Sequence, residues 1–263
     1  MTQHDLFVEV TTTANVAEIC LTRPEALNAI NSAMARQLIS RFESLGTDPR
    51  VRVVMIRGDG DRAFCAGADL KERAAFTTDD WKRQRELFRR MFAALRTLPQ
   101  PTIAAVHGFA LGGGMEIALV CDWIVAAVDA QFGLPEALLG IIPGGNGAIN
   151  LPRLIGPNRA KELLFSGRRI TADEAFALGI AQRVVSSEKL LEEARSTAWS
   201  FAAASPTSLR AIKRLANAAL DVPNEDALLI EEQCYQSVIS SNDRIEGISA
   251  FAARRPPHWS EIE

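Results

Sequence analysis

Two glutamates stand out because their neighbours are apolar. Glu116 lies between Met115 and Ile117, and Glu136 follows Pro135 inside the apolar stretch Phe132 to Ile142. A lone acid in such a run is either turned to solvent or kept buried with a raised pKa and a task. Taken singly, each reads well as a surface acid. Two loops change that reading. Gly108-Phe-Ala-Leu-Gly112-Gly113-Gly114-Met-Glu116 places successive glycines between a strand end and a helix that starts at about Gly114. Without a Cβ, such residues let ligand atoms approach the backbone. The free N–H groups and partial positive charge of a helix N-terminus suit an anion or a developing oxyanion. The competing reading is a tight turn that packs the helix closely on a sheet. No Gly-Lys-Ser/Thr follows, so this is not a Walker-type phosphate loop. In Phe64-Cys-Ala-Gly67-Ala68-Asp69-Leu-Lys-Glu-Arg73, small residues at 65 to 68 expose a second stretch of backbone. Its amides could donate to the same oxygen. Two acids beside two such loops point to paired proton transfer with oxyanion stabilisation.

The elements that must position these groups alternate. Leu6 to Val10 and Val16 to Thr22 read as strands around the turn-prone Thr13-Ala14-Asn15. Ser32 opens an amphipathic helix with Met34, Leu38, Ile39, Phe42 and Leu45 on one face, and Gly46 is placed to end it. Arg52 to Arg57, Thr102 to Val106 and Trp123 to Ala127 carry the runs of buried strands. A loop from Gly58 to Leu70 and a helix from about Asp79, repeating Leu87, Met91 and Leu95, fill the first interval. Strands alternating with helices predict an α/β core with largely parallel pairing. From Glu188 to Arg254 helical periodicity dominates, with a break at Ser205-Pro206. Thr171-Ala-Asp-Glu174 has a capping-box pattern and Asp243-Arg-Ile-Glu246 a weaker one. No internal repeat or low-complexity linker is legible.

Composition excludes several classes. The 263 residues are 48% hydrophobic and 23% charged, an ordinary globular mixture, with Lys+Arg 29 against Asp+Glu 32 and a formal net charge of -3. That balance does not favour a nucleic-acid partner. Cys20, Cys65, Cys121 and Cys234 are widely spaced, which predicts reduced thiols and a cytoplasmic protein. His4, His107 and His258 share no short motif, so no metal site is expected. No signal-peptide pattern or membrane span is expected either.

These segments resemble the enoyl-CoA hydratase/isomerase, or crotonase, superfamily. The likeness runs from Leu21-Thr-Arg-Pro24-Glu-Ala-Leu-Asn28-Ala through both glycine loops and Pro135-Glu136. It continues in Glu162-Leu-Leu-Phe-Ser-Gly167, Ala172-Asp-Glu-Ala175 and Gly179, and closes with Asp243-Arg-Ile-Glu246-Gly247, Ala250-Phe251 and Arg255-Pro256. Ala66 to Ala74, Glu231-Glu232 and Cys234-Tyr235 look most like the methylglutaconyl-CoA hydratase branch. The resemblance implies an α/β spiral of ββα turns over residues 1–190, with a helical trimerisation region over 191–263. It implies a trimer or a dimer of trimers (a hexamer). It also implies an oxyanion hole from the Ala68 and Gly113 amides, and Glu116 and Glu136 as catalytic carboxylates. Arg23, Ala66, Leu70 and Lys71 match positions that contact CoA, and Arg254 matches a basic position that reaches CoA from a neighbouring subunit.

The implied activity is a hydro-lyase of fatty acid metabolism that adds water across the double bond of an enoyl-CoA thioester. CoA is part of the substrate, and no separate cofactor is implied. Glu116 is expected to activate water and Glu136 to protonate the α-carbon. The alternatives are an enoyl-CoA isomerase, a thioester hydrolase, or a noncatalytic acyl-CoA-binding scaffold. Both acids being present favours hydration over one-acid reactions. One stretch departs from the family: Gly144-Gly145-Asn146-Gly147-Ala148-Ile149-Asn150-Leu151 stands where relatives often carry Gly-Gly-Gly-Gly-Thr-Gln-Arg-Leu. Asn146 is therefore expected to add a polar side chain near the second glutamate.

Overall fold

The computed structural model describes residues 6–260, and His4 falls outside them. The chain opens on an antiparallel hairpin, β1 (Val8–Thr13) and β2 (Val16–Leu21), turned at Ala14 and Asn15, both with positive φ. β1 therefore starts later, and runs further, than the Leu6 to Val10 segment. Helix α1 (Ser32–Thr47) buries Met34, Leu38, Ile39, Phe42 and Leu45, the face its periodicity predicts. Its cap is Asn31, whose side chain accepts the Met34 amide, and it runs through Gly46 to Thr47.

Three units then follow one plan, each giving a strand to a larger sheet and the next strand to a smaller one. β3 (Val53–Gly58) leads to β4 (Ala63–Cys65), the short α2 (Leu70–Arg73) and the long α3 (Thr78–Arg96). β5 (Thr102–Val106) leads to β6 (Phe109–Leu111) and α4 (Gly113–Val120). β7 (Trp123–Ala127) leads to β8 (Gln131–Gly133), then α5 (Gly147–Ile155) and α6 (Pro157–Ser166). β9 (Ile170–Thr171), α7 (Ala172–Ala177) and β10 (Arg183–Val185) complete the sheets. The larger sheet has the order β1-β2-β3-β5-β7-β10 and the smaller one β4-β6-β8-β9. Pairing is parallel except in β1–β2 and β8–β9. This is the expected spiral of ββα turns. Its repeat is structural, carried by strands too short to leave a periodic signature.

Alternation along the central strands sorts the core into two layers. Val54, Ile56, Ala104, Val106, Ile124 and Ala126 face a cluster that includes α1, α3 and α4. Val53, Met55, Ile103, Ala105, Val125 and Ala127 face the opposite way, against Leu190, Ala194, Ala198 and Ala202 of α8 (Leu190–Ala202). Small residues on α8 let it lie close on the sheet. α9 (Pro206–Ala218), α10 (Asn224–Ile239) and α11 (Asn242–Ala252) follow. Ser205 caps α9 and Pro206 opens it, at the break in periodicity the sequence shows.

The two capping-box patterns resolve differently. Thr171 accepts the Glu174 amide, but the Glu174 carboxylate turns to Arg168 at 2.6 Å. At α11 the cap is Ser241, and Asp243 is buried, accepting the Ser205 hydroxyl at 2.7 Å. Among the described residues no helix is long and apolar enough to cross a membrane.

Candidate active site

Three parallel strands of the smaller sheet end level with one another. Cys65 pairs with Ala110, Ala110 with Phe132, and Leu111 with Gly133. The loop bearing Ala68 leaves β4, the loop bearing Gly113 leaves β6, and the segment bearing Glu136 leaves β8. The C-terminal edge of a parallel sheet thus gathers segments that are far apart in sequence, the usual place for a site in such sheets. A cavity of about 720 Å³ opens there, lined by residues including Ala66, Ala68, Gly113, Glu116 and Glu136.

Close packing of α4 brings its N-terminus to this edge. A methyl group on Gly114 would stand 1.9 Å from the Cys65 carbonyl oxygen, so only glycine permits the approach. The Gly112 amide donates to the Gly133 carbonyl at 2.8 Å, locking the loop to β8. Gly67 and Gly113 also meet: a methyl on Gly113 would lie 3.6 Å from the Gly67 Cα and 3.7 Å from the Ala68 nitrogen. The Ala68 and Gly113 amides donate to no acceptor among the described residues. Two amides side by side on a cavity wall are suited to one shared oxygen.

Glu116 is 3% exposed, and its Oε1 accepts the amides of Gly145 at 2.6 Å and Gly147 at 2.8 Å. Burial raises its pKa, while those amides and the charge of Arg85 oppose the rise. Glu136 sits in the 3-10 turn Pro135–Leu139, and its buried Oε2 has no partner. Burial first, then the charge of Glu116, pushes its pKa up to about 7. Burial thus raises both carboxyls, but the amides on Glu116 oppose the rise there, while the charge of Glu116 adds to it at Glu136.

The Asn146 departure turns out to face elsewhere. Asn146 takes positive φ at the start of α5 and lines a separate cavity between α4, α5 and α9. The Gly145 and Gly147 amides on either side of it still reach Glu116. The substitution therefore leaves the carboxylate cradle intact and adds no side chain to the active-site cavity.

Of the remaining sequence candidates, Ala66 and Leu70 line the cavity. Lys71 is exposed next to Leu70 and is not part of the wall. Arg23 is also outside the wall: its guanidinium donates to Asp69 at 3.0 Å and to the Ala29 carbonyl at 2.5 Å. Asp69 in turn accepts the Lys71 and Glu72 amides, capping α2 directly after Ala68. Arg254 is exposed and does not reach this cavity within the chain. Arg73 and Arg85, which the sequence does not single out, do line it. Their positions look like ordinary charged helix faces; the packing of α2 and α3 half-buries Arg73, while Arg85 lines the wall and stays exposed. Among the described residues no group of three or more His, Cys, Asp or Glu is placed to hold a metal ion.

Comparison with known proteins agrees with this geometry. The enoyl-CoA hydratase/isomerase family model matches residues 11–262. A putative enoyl-CoA hydratase/isomerase of Bacillus subtilis, YngF, is 42% identical over 92% of this chain and 93% of its own length. The mitochondrial methylglutaconyl-CoA hydratase of Mus musculus is 40% identical over 91% of this chain and 77% of its own. The crystal structure of an enoyl-CoA hydratase from Bacillus anthracis superimposes with a TM-score of 0.95 at 39% identity, covering 98% of this chain and 100% of that one. With its ββα spiral, its level strand ends and a match along nearly its whole length, the chain belongs to the enoyl-CoA hydratase/isomerase family.

Proposed function

We propose that this chain is an enoyl-CoA hydratase-type lyase that reversibly adds water across the α,β double bond of an acyl-CoA thioester. The observation that carries the reading is one cavity holding two buried glutamates in unequal surroundings, beside two unengaged amides. The thioester oxygen accepts the Ala68 and Gly113 amides. Negative charge grows on that oxygen as the β-carbon is attacked, and each donor is worth about 3 kcal/mol to the transition state. Glu116 takes a proton from water as the hydroxyl bonds to the β-carbon. Its Oε1 is fixed by two amides, which orients the carboxylate towards that water. Glu136 gives its proton to the α-carbon, so the sum is one water added. Dehydration reverses both transfers. No cofactor beyond the CoA of the substrate is needed.

Ala66, Leu70 and Lys71 are assigned to the CoA moiety, and Arg254 to CoA held by a neighbouring subunit. Arg23 supports them by holding Asp69, and with it the start of α2. Self-association as a trimer or a dimer of trimers is supported by the exposed Ile212, Leu228, Leu229, Ile248 and Phe251 of α9–α11, which make those helices the oligomerisation region. Four unpaired cysteines support a reducing, cytoplasmic setting.

A panel of enoyl-CoA esters tests the reaction. Loss of the conjugated-thioester absorbance should accompany a product heavier by one water. A product of unchanged mass with a migrated double bond, release of free CoA, or binding without turnover would each overturn the assignment.

A further inference from the structure

The segment that follows β2 lies against the loop carrying Ala68. The Ala66 amide donates to the Leu27 carbonyl at 3.0 Å, the Ile30 amide to the Gly67 carbonyl at 2.7 Å, and the Asp69 amide to the Ile30 carbonyl at 2.9 Å. Ile30 and Ala68 thus pair as in a parallel ladder. In such a pair one residue bonds to the two neighbours of the other. Ile30 commits its N–H and its C=O to the residues on either side of Ala68, so the N–H of Ala68 itself points away from Ile30. That amide donates to no acceptor among the described residues, and it lies on the side of Gly113 and the cavity.

Asn28 holds this template segment in shape. Leu27 and Asn28 take φ of 53° and 54°. Asparagine tolerates that region, whereas a leucine enters it only where its surroundings impose it. The Asn28 carboxamide is fully buried and fully engaged. Its Oδ1 accepts the Arg23 amide at 2.9 Å, and its Nδ2 donates to the Asp59 carbonyl at 2.9 Å and the Ala63 carbonyl at 2.8 Å. Residues 59 and 63 bracket the turn into β4, the strand from which the Ala68 loop leaves. One side chain therefore clamps the template to both ends of that turn. Asn28 is not part of the cavity wall.

We propose that Asn28 is a positioning residue for the oxyanion hole: through Leu27 and Ile30 it fixes the direction of the Ala68 amide without touching the substrate. This rests on the hydratase reading above, which puts the thioester oxygen at Ala68 and Gly113. A donor counts most when it is aimed before charge develops, and a small misplacement caused from a distance costs up to about a hundredfold in rate.

Hexa-2,4-dienoyl-CoA is the probe, because the absorbance of its conjugated thioester moves to longer wavelength as the carbonyl is polarised. Bound to the parent protein, its band should lie at longer wavelength than in water. Asn28→Gly keeps the backbone conformation open and deletes the clamp. In the folded variant most of that band shift should be lost, and kcat should fall by roughly tenfold to a hundredfold. KM should change far less, as for an interaction made mainly in the transition state. The pH profile should keep its shape, since Glu116 and Glu136 are untouched. Asn28→Ser retains one short donor and should fall between, which supplies a second reading should Asn28→Gly fold poorly. A folded variant with a lower melting temperature but the parental band shift and kcat would make Asn28 structural only and overturn the proposal. A lower kcat with a displaced pH profile and an unchanged band shift would place the loss at the glutamates and overturn it too. So would a parent that leaves the band where it lies in water, since there would be no hole to position. A parent that shifts the band and hydrates no ester ends only the hydratase reading.

Discussion

Glu116 and Glu136 face one cavity with unequal support: Oε1 of Glu116 takes the amides of Gly145 and Gly147, whereas Oε2 of Glu136 has no partner and its carboxyl is reached only by its own backbone amide. Amide donors favour a carboxylate, and burial with fewer donors favours a carboxylic acid. The proposed division of labour between base and acid rests on this difference in surroundings between two identical side chains.

Glu116→Gln and Glu136→Gln keep shape and lose proton transfer. Each should lower kcat by roughly a hundredfold or more. The double variant should be little worse than the more damaged single, because the two serve one addition as a unit. Deuterium exchange at the substrate α-carbon in heavy water assigns the roles. Full-rate exchange in Glu136→Gln would show that another group delivers that proton.

Gly113 is the first residue of α4, a position that accepts proline readily. Gly113→Pro therefore deletes one amide where the helix has no use for it. With a thermal melt close to that of the parent, turnover should fall by roughly 10²–10³. A folded variant with parental kcat would remove Gly113 from the oxyanion hole.

Folded Glu136 keeps its proton to about pH 7, whereas an unfolded glutamate releases it near 4.5. Between those values the folded state binds more protons, so this group's contribution to stability declines as pH rises. Glu136→Gln removes the decline. It should be more stable than the parent at pH 8, by on the order of 2 kcal/mol. The gain should vanish below pH 4.5, where both states are protonated. Chemical denaturation at both pH values measures it, and a gain independent of pH would contradict the assigned cause.

A methyl on Gly145 would stand 2.2 Å from the Phe92 ring. Gly145→Ala must displace the ring or the turn, and the turn carries an amide that holds Glu116. We expect a loss of roughly 1–3 kcal/mol in stability, together with a lower kcat. Phe92→Ala makes room for the methyl, so a double-mutant cycle should be strongly non-additive. Additive stabilities would mean that the two sites do not communicate.

Leu229 and Phe251 are among the exposed apolar side chains of α10 and α11. Light scattering should report a trimer or hexamer, and Leu229→Asp should shift it towards smaller species. A monomeric parent at micromolar concentration would refute self-association.

The central strands and the first long helix are legible in the sequence itself. Thr102 to Val106 and Trp123 to Ala127 coincide with β5 and β7, because strands buried on both faces carry an unbroken apolar run. The buried face of α1 follows from its period alone. Local chemistry also marks Glu116, Glu136 and the glycine loops, since acids among apolar residues and runs of small residues are visible one segment at a time. β4, β6 and β8 escape that reading. Three residues are too few to show a period, and these strands exist only because each pairs with its neighbour in the smaller sheet.

What tertiary structure alone decides is direction and proximity. The level ends of those strands bring Ala68 beside Gly113, and the Gly145 turn hands its amide to Glu116. Asn146, which from sequence belongs beside the glutamates, faces a different cavity, because the backbone conformation at the start of α5 sets where its side chain lies. Arg73 reads as a solvated helix charge until α2 and α3 pack over the site and half-bury it against the cavity, and Arg85 joins the same wall while staying exposed. A sequence records which groups are available. Which of them share a cavity depends on contacts between segments far apart in the chain, and those same contacts set the desolvation that raises the pKa of Glu136.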